Sequence, residues 1–415
     1  MGSDALSVSR PDPGDAPTIS PSRQPAGRDS SVSPKKTSPL RIAQILPTMR
    51  RAGAESVVAA LCRGLAALGG GEGGVEVHLV VVGHRFDYAE ELAGSGVHCH
   101  FLDLYQGPVR FYRWDIHRRI RRKLGAFLGS LQSDIVHFHL AHGLQWGGEA
   151  ALAGGARIFY TAHGMDPMLA STHWRARWRR RGFIRGVQQS RCRLLAVSAN
   201  VALHLAKGLE IPAKTVTIQP NPIDLERWPG IRATPSAPPH QAIMVGTLYP
   251  LKRVDVGIRA VAAWSEEEPL RLIVVGDGSE RDNLESLARA QGVSDRVTFL
   301  GVRRDVPEQM AKAGVAWLLS EREGMPMAAL EAMASGVPLI ATDVPGTREL
   351  IQEGVNGLLV PLDDPQAVVA ATRKLQERPE LLNRIISGGA ATVSQYGLPQ
   401  VAQRHLELYR ESLNG

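Results

Sequence analysis

Short apolar runs alternate with helix-length amphipathic segments along the chain from about residue 40 onward. The first pair is "LRIAQILP", a run with few polar residues, followed by "AESVVAALCRGLAAL", in which apolar positions recur with helical spacing. Continuous apolar runs are typical of strands buried on both faces of a parallel sheet, and their alternation with helices indicates βαβ units. The predicted strands of the first half are 40–47, 75–83, 134–141, 156–164, 193–200 and 214–224.

The alternation stops at "RWPGIRATPSAPPHQ", which is rich in proline and turn-forming residues, and then resumes. We therefore predict an α/β fold with two doubly wound, Rossmann-like domains whose strand ends face each other across a cleft. The first 38 residues are too polar and proline-rich to bury a core, so we expect a disordered tail there. The second-half strands are predicted at 242–248, 270–278, 296–301, 314–320, 337–343 and 356–361. The predicted organisation is a tail (1–38), a first domain (39–224), a linker (225–240), a second domain (241–394) and a C-terminal helix (395–415).

Composition narrows the class of protein. A hydrophobic content of 44% and a charged content of 21% are typical of a globular protein, and no apolar run approaches the roughly 20 residues that cross a bilayer. The N-terminus lacks the apolar core of a signal peptide, and the three cysteines have no metal-like spacing. We expect a cytoplasmic protein, since a sparse and odd number of cysteines suits a reducing compartment.

The net charge of +7 comes from two segments in the first half. Residues 110–123 hold seven Arg or Lys, and residues 174–193 hold eight Arg and no acid. Trp174, Trp178 and Phe183 stand among these arginines, which predicts an interfacial element that binds an anionic membrane surface, here the inner leaflet. An ordinary solvated basic helix is the alternative.

The chemistry concentrates in "SEREGMPMAALEAMASGVPLIATD", where Glu331 is the one charged residue of an apolar helix predicted at 326–335. Pro326 suits the first helical position, and Gly336 suits the position after the helix. A buried carboxylate needs a partner. Glu331 either pairs internally with an arginine or backbone N–H, or it faces the cleft and accepts hydrogen bonds from a vicinal diol such as a ribose.

This stretch resembles the E-x7-E element of the retaining nucleotide-sugar glycosyltransferases of family 4, which have the GT-B fold. The resemblance extends over almost the whole chain after the tail. In the first half it rests on "RIAQILPTMRRAGAE", "DIVHFH", "YTAHG", "AVSAN" and "IQPNPID". In the second half "VGTLYPLKR", "VVGDGSER", "VTFLGVRRDV" and "NGLLVP" follow in the family's order. The resemblance also implies that the C-terminal helix packs back on the N-terminal domain.

The family's roles carry over residue by residue. Glu331 is implied to bind the nucleotide ribose, Glu323 to contact donor-sugar hydroxyls, and Lys252 to bind the diphosphate. His163 is implied to face the donor sugar near the reacting carbon, whereas His139 is as readily structural. The catalytic positions are thus His163, Lys252 and Glu323. The other implied donor-binding positions are Gly53, Gly246, Thr247, Gly276, Gly301, Val302, Arg303, Gly324 and Met325.

One departure concerns the phosphate site. The family usually has an arginine where this chain has Thr247, so half of a cationic clamp is missing, and Arg253 or Arg259 is the candidate replacement. The fragment "VGDGSER" carries Arg281 where a dinucleotide fingerprint needs its third glycine, which argues against a dehydrogenase.

The implied reaction moves a sugar from a nucleoside diphosphate to an acceptor hydroxyl with retention of configuration. The acceptor is expected to be a lipid-linked or polysaccharide glycan of the cell surface. No D-x-D motif occurs, so we expect catalysis without a metal. We also expect no cofactor and no nucleic-acid partner. Two alternatives remain: a non-catalytic protein of this shell that binds polyanions, and a sugar-nucleotide epimerase.

Overall fold

The structure, a computed structural model, describes residues 38–69, 74–107, 114–228, 240–265 and 267–414. Most of the predicted tail and residues 229–239 of the predicted linker lie outside these ranges. The strands of the N-terminal domain are β1 (Leu40–Leu46), β2 (Val75–Val81), β3 (Val97–Phe101), β4 (Ile135–His139), β5 (Arg157–Ala162), β6 (Arg193–Ala196) and β7 (Val216–Ile218).

These strands form one sheet in the order β3-β2-β1-β4-β5-β6-β7, and every neighbouring pair is parallel. The sequence did not predict the edge strand β3. Its residues "VHCHF" are half-buried or exposed, so it lacks the continuous apolar run that marks the inner strands.

The C-terminal domain repeats the plan with six strands: β8 (Gln241–Val245), β9 (Arg271–Val275), β10 (Val297–Gly301), β11 (Val315–Leu318), β12 (Leu339–Thr342) and β13 (Leu358–Val360). They are parallel and lie in the order β10-β9-β8-β11-β12-β13. In both sheets the order reverses beside the first strand of the domain, and ligands of doubly wound sheets bind at this switch point, outside the carboxyl ends of the strands.

Helices cover both faces of each sheet, because successive residues of a buried strand point to opposite faces and both need apolar cover. In β1, Ala43 and Ile45 belong to one core, whereas Ile42 and Leu46 belong to another. The helices are α1 (Gly53–Ala67), α2 (Ala89–Leu92), α3 (Trp114–Leu131), α4 (Ala141–Ala153), α5 (Pro167–Ala170), α6 (Trp174–Gln189), α7 (Ala199–Leu209), α8 (Val254–Ala263), α9 (Arg281–Ala290), α10 (Val306–Met310), α11 (Met327–Ala334), α12 (Pro345–Arg348), α13 (Pro365–Glu377), α14 (Pro379–Val393) and α15 (Leu398–Asn414).

The last helix returns to the N-terminal domain, as the family resemblance implied. Ala402, Leu406 and Tyr409 of α15 are buried in the same core as residues of α1 and β1. Gly64 of α1 permits the close approach, since a Cβ there would lie 2.9 Å from the Cβ of Ala402. Helix α15 therefore packs against the N-terminal sheet, and its side chains reach strands that carry part of the site.

The two domains also contact each other directly. The Glu349 carboxylate, at the end of α12, accepts hydrogen bonds from the backbone N–H groups of Ala199 (2.7 Å) and Asn200 (2.6 Å) at the start of α7. Arg304 pairs with Glu90 of α2 at 2.8 Å. These contacts between the domains keep the carboxyl ends of both sheets facing the same space. Among the described helices, none is long and apolar enough to cross a membrane.

Candidate active site

The carboxyl ends of both sheets open onto one cleft of about 940 Å³. Its walls come from both domains, as the sequence predicted. Nearly all predicted site residues converge here, although they are spread over most of the chain. The predicted positions that line the cleft are Gly53, His163, Gly246, Thr247, Lys252, Gly276, Val302, Arg303, Glu323, Gly324, Met325 and Glu331.

Lys252 and Glu323 form an ion pair on the C-terminal side of the cleft. The Lys252 Nζ donates to Glu323 Oε1 at 2.7 Å, and only 9% of the Glu323 side chain is exposed. Lys252 closes a short turn after β8, and Glu323 lies on the loop that follows β11. The second carboxylate oxygen, Oε2, has no hydrogen-bond partner among the described residues. The pair therefore offers a cation and a free acceptor side by side.

Glu331 is the other carboxylate of the predicted site, and it does not pair internally with the described residues. It lines the cleft and has no hydrogen-bond partner in the part of the chain that the structure describes. Burial raises the pKa of its carboxyl to about 7, while the charges of Lys252 and Arg227 oppose that rise. A desolvated carboxylate with free lone pairs is suited to accept hydrogen bonds from ligand hydroxyls.

The helix that carries Glu331 differs from the prediction in two details. It begins at Met327, so Pro326 is the N-cap residue and not the first helical residue. The helix is also not buried on all sides, because Met327, Ala328 and Glu331 line the cleft on one face. Gly336 does follow the helix end in a left-handed conformation, with φ of 67°.

Close backbone packing shapes the floor of the cleft. Gly276 has φ of 134°, and a Cβ at this position would lie 1.9 Å from the carbonyl oxygen of Gly246. The N–H of Gly276 donates to the carbonyl of Gly301 at 2.8 Å. Gly301 is not among the residues that line the cleft, and its carbonyl holds Gly276 through this hydrogen bond. Its direct contact with the donor stays a prediction.

The predicted replacements for the missing arginine do not reach the site. Thr247 lines the cleft, but Arg253 and Arg259 both pair with Asp255, and Arg253 also pairs with Asp363. Neither arginine belongs to the cleft wall. Side-chain pairing explains this outcome, because Asp255 binds both guanidinium groups and is itself not part of the cleft wall.

The exposed end of the C-terminal wall holds Val302 and Arg303. The Val302 side chain is 58% exposed, and Arg303 makes two hydrogen bonds of 2.7 Å with Asp305. The guanidinium holds the pKa of the Asp305 carboxyl well below its usual range. This pairing leaves the backbone near Val302 as the surface available to a ligand.

The N-terminal wall contributes His163, Asn221 and the start of α1. Gly53 is the first residue of that helix, and a Cβ there would meet no atom within 4 Å, which leaves open space above the helix N-terminus. His163 follows β5, and burial lowers the pKa of its imidazole to about 4. His163 is therefore a neutral group on a wall that also carries charged side chains, among them Arg51 and Glu55.

The loop from the C-terminal domain touches the N-terminal wall at His163. A Cβ on Gly324 would lie 2.9 Å from the His163 carbonyl oxygen, so glycine is needed for this approach. The neighbouring Met325 Sδ accepts a hydrogen bond from the Asn221 N–H at 3.1 Å. The ion-paired loop and the histidine therefore face the same part of the cleft.

Sequence reasoning missed several charged residues of the cleft, and Arg227 and Glu55 are two of them. Arg227 lies in the predicted linker, yet it lines the cleft, pairs with Glu91 and lowers the pKa of Glu331 by its charge. Glu55 is 8% exposed, and burial raises the pKa of its carboxyl. An acid in the first turn after a glycine loop was the available signal for Glu55, whereas nothing in the local sequence marks Arg227.

The two basic segments meet on the N-terminal domain. Their described parts form α3 and α6, and the Trp114 and Trp178 rings pack edge to face with centroids 5.4 Å apart. The exposed fractions are 66% for Trp114, 59% for Trp174 and 41% for Trp178. Phe183 is only 1% exposed and belongs to the core, so its predicted place in an interfacial element is wrong. Residues 110–113 lie outside the described chain.

Two family models match this chain in sequence. The model described as glycosyltransferase family 4 matches residues 51–227, and the model described as glycosyl transferases group 1 matches residues 232–392. Together they span both domains, from the glycine loop to α14.

Curated relatives match over shorter stretches. The N-acetyl-alpha-D-glucosaminyl L-malate synthase of Bacillus anthracis is 37% identical over 139 residues, which are 34% of this chain and 36% of the relative. The D-inositol 3-phosphate glycosyltransferase of Streptomyces bingchenggensis is 29% identical over 54% of this chain and 53% of its own length. The chain thus spans about half the length or less of the curated relatives that it matches.

Solved structures match over nearly the whole fold. Alr3699/HepE of Anabaena, in complex with UDP and glucose, has a TM-score of 0.74 and 18% identity, covering 89% of this chain and 99% of its own. At this identity the likeness establishes the shared fold of two facing Rossmann-like domains.

Proposed function

This chain belongs to glycosyltransferase family 4, and on that premise we propose that it transfers a sugar from a nucleoside diphosphate to an acceptor hydroxyl. The observation that carries the proposal is Glu331, a half-buried carboxylate that lines the cleft without a partner among the described residues. A ribose diol supplies the two hydroxyl donors that such a group lacks. The UDP and glucose bound to the Anabaena neighbour support a nucleotide sugar as the ligand.

Lys252 and Glu323 have different roles in the proposed reaction. The Lys252 ammonium neutralises charge that develops on the departing diphosphate, which lowers the barrier to leaving. Glu323 orients the sugar through Oε2, since its other oxygen is held by Lys252 at 2.7 Å. The two carboxylates thus act at opposite ends of the donor and not as a pair across one bond, which a double displacement requires.

We further propose that the transfer retains the anomeric configuration and needs no metal. In this scheme the leaving diphosphate helps to take the acceptor proton, so the protein supplies positioning and charge stabilisation. Product stereochemistry by NMR checks retention. Unchanged turnover in excess chelator is the expected result for metal independence, and restoration of lost turnover by Mg²⁺ would contradict it.

A donor screen tests the function. Purified full-length protein is given each common nucleotide sugar, and release of nucleoside diphosphate is measured with and without membrane extract. We expect release from one donor, stimulated by extract and abolished by Glu323→Ala, while the exposed neighbour variant Glu321→Gln keeps its activity. Nucleotide binding without release from any donor would favour a non-catalytic protein, and a changed sugar nucleotide without transfer would favour an epimerase.

We propose a lipid-linked acceptor presented at an anionic membrane surface. The helices α3 and α6 begin on the side of the sheet where β3 and β5 end, because helices run opposite to the strands of a parallel sheet. Trp114, Trp174 and Trp178 therefore lie toward the edge of the N-terminal sheet at which its strands end, the edge that faces the cleft. Indole rings among arginines suit the interface of an anionic bilayer.

Vesicle binding tests the membrane proposal. The full chain should co-sediment with vesicles that contain phosphatidylglycerol at low salt, and less with pure phosphatidylcholine. Trp114→Ser combined with Trp178→Ser should weaken binding about tenfold, since each indole loses its apolar contact with the bilayer. Leu203→Ser, which removes another exposed apolar side chain of this domain, is the control. Equal sedimentation of all variants would contradict the proposal.

A further inference from the structure

A chain of buried polar side chains runs from the cleft into the N-terminal domain and ends at the C-terminal helix. We call it the polar relay. Its strand members lie on β1, β4 and β5, and none of its buried members is more than 5% exposed. The relay joins His163 Nε2 to His139 Nδ1 (2.9 Å), His139 Nε2 to Gln44 Oε1 (2.7 Å), Gln44 Nε2 to Tyr409 Oη (3.1 Å), Tyr409 Oη to His137 Nδ1 (2.6 Å), and His137 Nε2 to Thr161 Oγ1 (2.7 Å).

The histidines of the relay are neutral. Burial lowers the pKa values of His137 and His139 well below their ordinary value, and neighbouring histidines lower them further. A neutral imidazole has one N–H donor and one lone-pair acceptor. When one nitrogen of such a ring accepts a hydrogen bond, the other nitrogen must donate one. The donor or acceptor role of one group in the relay therefore determines the roles of its neighbours.

Gln44 determines these donor and acceptor roles, because its amide oxygen can only accept and its amide nitrogen can only donate. Its Oε1 is an acceptor and faces His139, so His139 must donate from Nε2 and accept at Nδ1. Its Nε2 is a donor and faces Tyr409, so the Tyr409 hydroxyl accepts there and donates to His137 Nδ1. His163 must then donate its Nε2–H to His139.

The consequence lies at the other nitrogen of His163. Its Nδ1 carries the lone pair and is buried without a hydrogen-bond partner in the described structure. The Asn221 side chain raises the pKa of the imidazole, but Nδ1 has no partner that meets hydrogen-bond geometry among the described residues. A buried acceptor without a donor is costly, so a ligand that brings an O–H to this point is favoured.

We propose that the polar relay fixes His163 in its Nε2–H tautomer, so that Nδ1 accepts a hydrogen bond from a hydroxyl of the donor sugar. The proposal rests on the proposed function for the identity of the ligand. Gln44, His139 and Tyr409 are positioning residues, since they act through His163 and do not line the cleft. Sugar recognition thereby depends on a tyrosine of the last helix, which lies in the sequence 246 residues after His163 (409 − 163).

The tautomer is read directly by NMR of the full chain labelled with ¹⁵N-histidine, before any ligand is added. We expect His163 to show a protonated Nε2 and an unprotonated Nδ1. The opposite pattern would mean that the relay runs in the reverse direction, and it would overturn the proposal. This readout needs no turnover, so it separates a failure of the relay from a failure of the proposed transferase function.

Tyr409→Phe tests the role of the relay, because it keeps the ring and removes the hydroxyl that holds the Gln44 amide. We expect a mixture of His163 tautomers and a fall of about 2- to 10-fold in kcat/KM for the donor, the effect of one weakened hydrogen bond. Tyr160→Phe is the control, since Tyr160 is buried in the same sheet but belongs to the opposite core. A single unchanged tautomer with unchanged kcat/KM in Tyr409→Phe would refute the relay.

Ligand specificity completes the test. The His163 Nδ1 resonance should shift when the nucleotide sugar that is turned over is added, and not when the nucleoside diphosphate alone is added. An equal shift with both would assign Nδ1 to the nucleotide and contradict the sugar contact. If no donor is turned over, UDP-glucose and UDP serve as the probes, and absence of a sugar-dependent shift likewise contradicts it.

Discussion

The two walls of the cleft use different chemistry. The C-terminal wall, formed by Lys252, Glu323 and Glu331, presents charges, of which one pair is already matched and one carboxylate is unmatched. On the N-terminal wall, where charged residues such as Arg51 and Glu55 also stand, His163 is a neutral side chain whose hydrogen-bond direction is set by groups behind it. The charges of the first wall are suited to hold a charged nucleotide, and His163 of the second wall is suited to select a hydroxyl.

This difference follows from how each wall is supported. The charged side chains stand on the short turn after β8 and on the loop and helix that follow β11, where part of their surface stays open to the cleft. The histidine is supported by fully buried partners on three strands and on α15, in surroundings where a charge would be costly. Substitutions should therefore reduce rate or affinity strongly on the first wall and alter discrimination on the second.

The largest effect is expected for Lys252→Met. Loss of the ammonium removes the cation that stabilises the leaving diphosphate and should lower kcat by about 10² to 10³. It also leaves Glu323 buried without its partner. The double variant Lys252→Met with Glu323→Gln separates the two effects. A kcat within twofold of wild type for the single variant would show that this wall does not carry the charge stabilisation.

Glu331→Gln comes next. The amide keeps the volume but loses charge-assisted hydrogen bonding, which should weaken donor binding about 10- to 100-fold with little change in kcat. Because the pKa of Glu331 is raised to about 7, the group is largely protonated below that pH and ionised above it. Wild-type donor affinity should therefore rise with pH through about 7. Calorimetric titration across this range should find no such rise in Glu331→Gln.

Gly346→Ala tests the backbone that holds Glu323. A Cβ at Gly346 would lie 2.0 Å from the Glu323 carbonyl oxygen, so the loop must move and carry the carboxylate with it. We expect about a tenfold loss in kcat/KM with the fold retained by circular dichroism. Gly129→Ala is the control, because a Cβ there meets nothing within 4 Å. Normal kinetics in Gly346→Ala would mean that the position of Glu323 is not critical.

The smallest effect is expected for Arg227→Gln. Its positive charge lowers the pKa of Glu331, so its removal should raise that pKa further and move the rise of donor affinity to higher pH. At neutral pH we expect about a two- to fivefold loss of affinity. Arg304→Gln, which removes another cation of the cleft wall, should leave the pH profile in place. If the pH dependence of donor affinity shifted in both variants, the overall positive charge of the cleft, and not Arg227 in particular, would be lowering the pKa of Glu331.

The C-terminal wall could be read from local sequence to a large extent. Glu323, Glu331 and Lys252 stand in recognisable motifs, and the apolar runs around them predicted the strands after which they lie. The predicted replacements Arg253 and Arg259 failed because Asp255 pairs with both, and side-chain pairing of this kind depends on geometry that no spacing rule describes. The edge strand β3 failed for lack of an apolar run.

The sequence by itself determined the two parallel-sheet domains and the strand ends that carry the chemistry, because burial on both faces imposes a pattern on neighbouring residues. Only the tertiary structure decided that Gln44, His137, His139 and Tyr409 form one relay. These residues come from three distant parts of the chain, and hydrogen bonds between them leave no periodic trace in sequence. The tertiary structure likewise decided that Glu331 has no protein partner, since that depends on which side chains the fold brings near it.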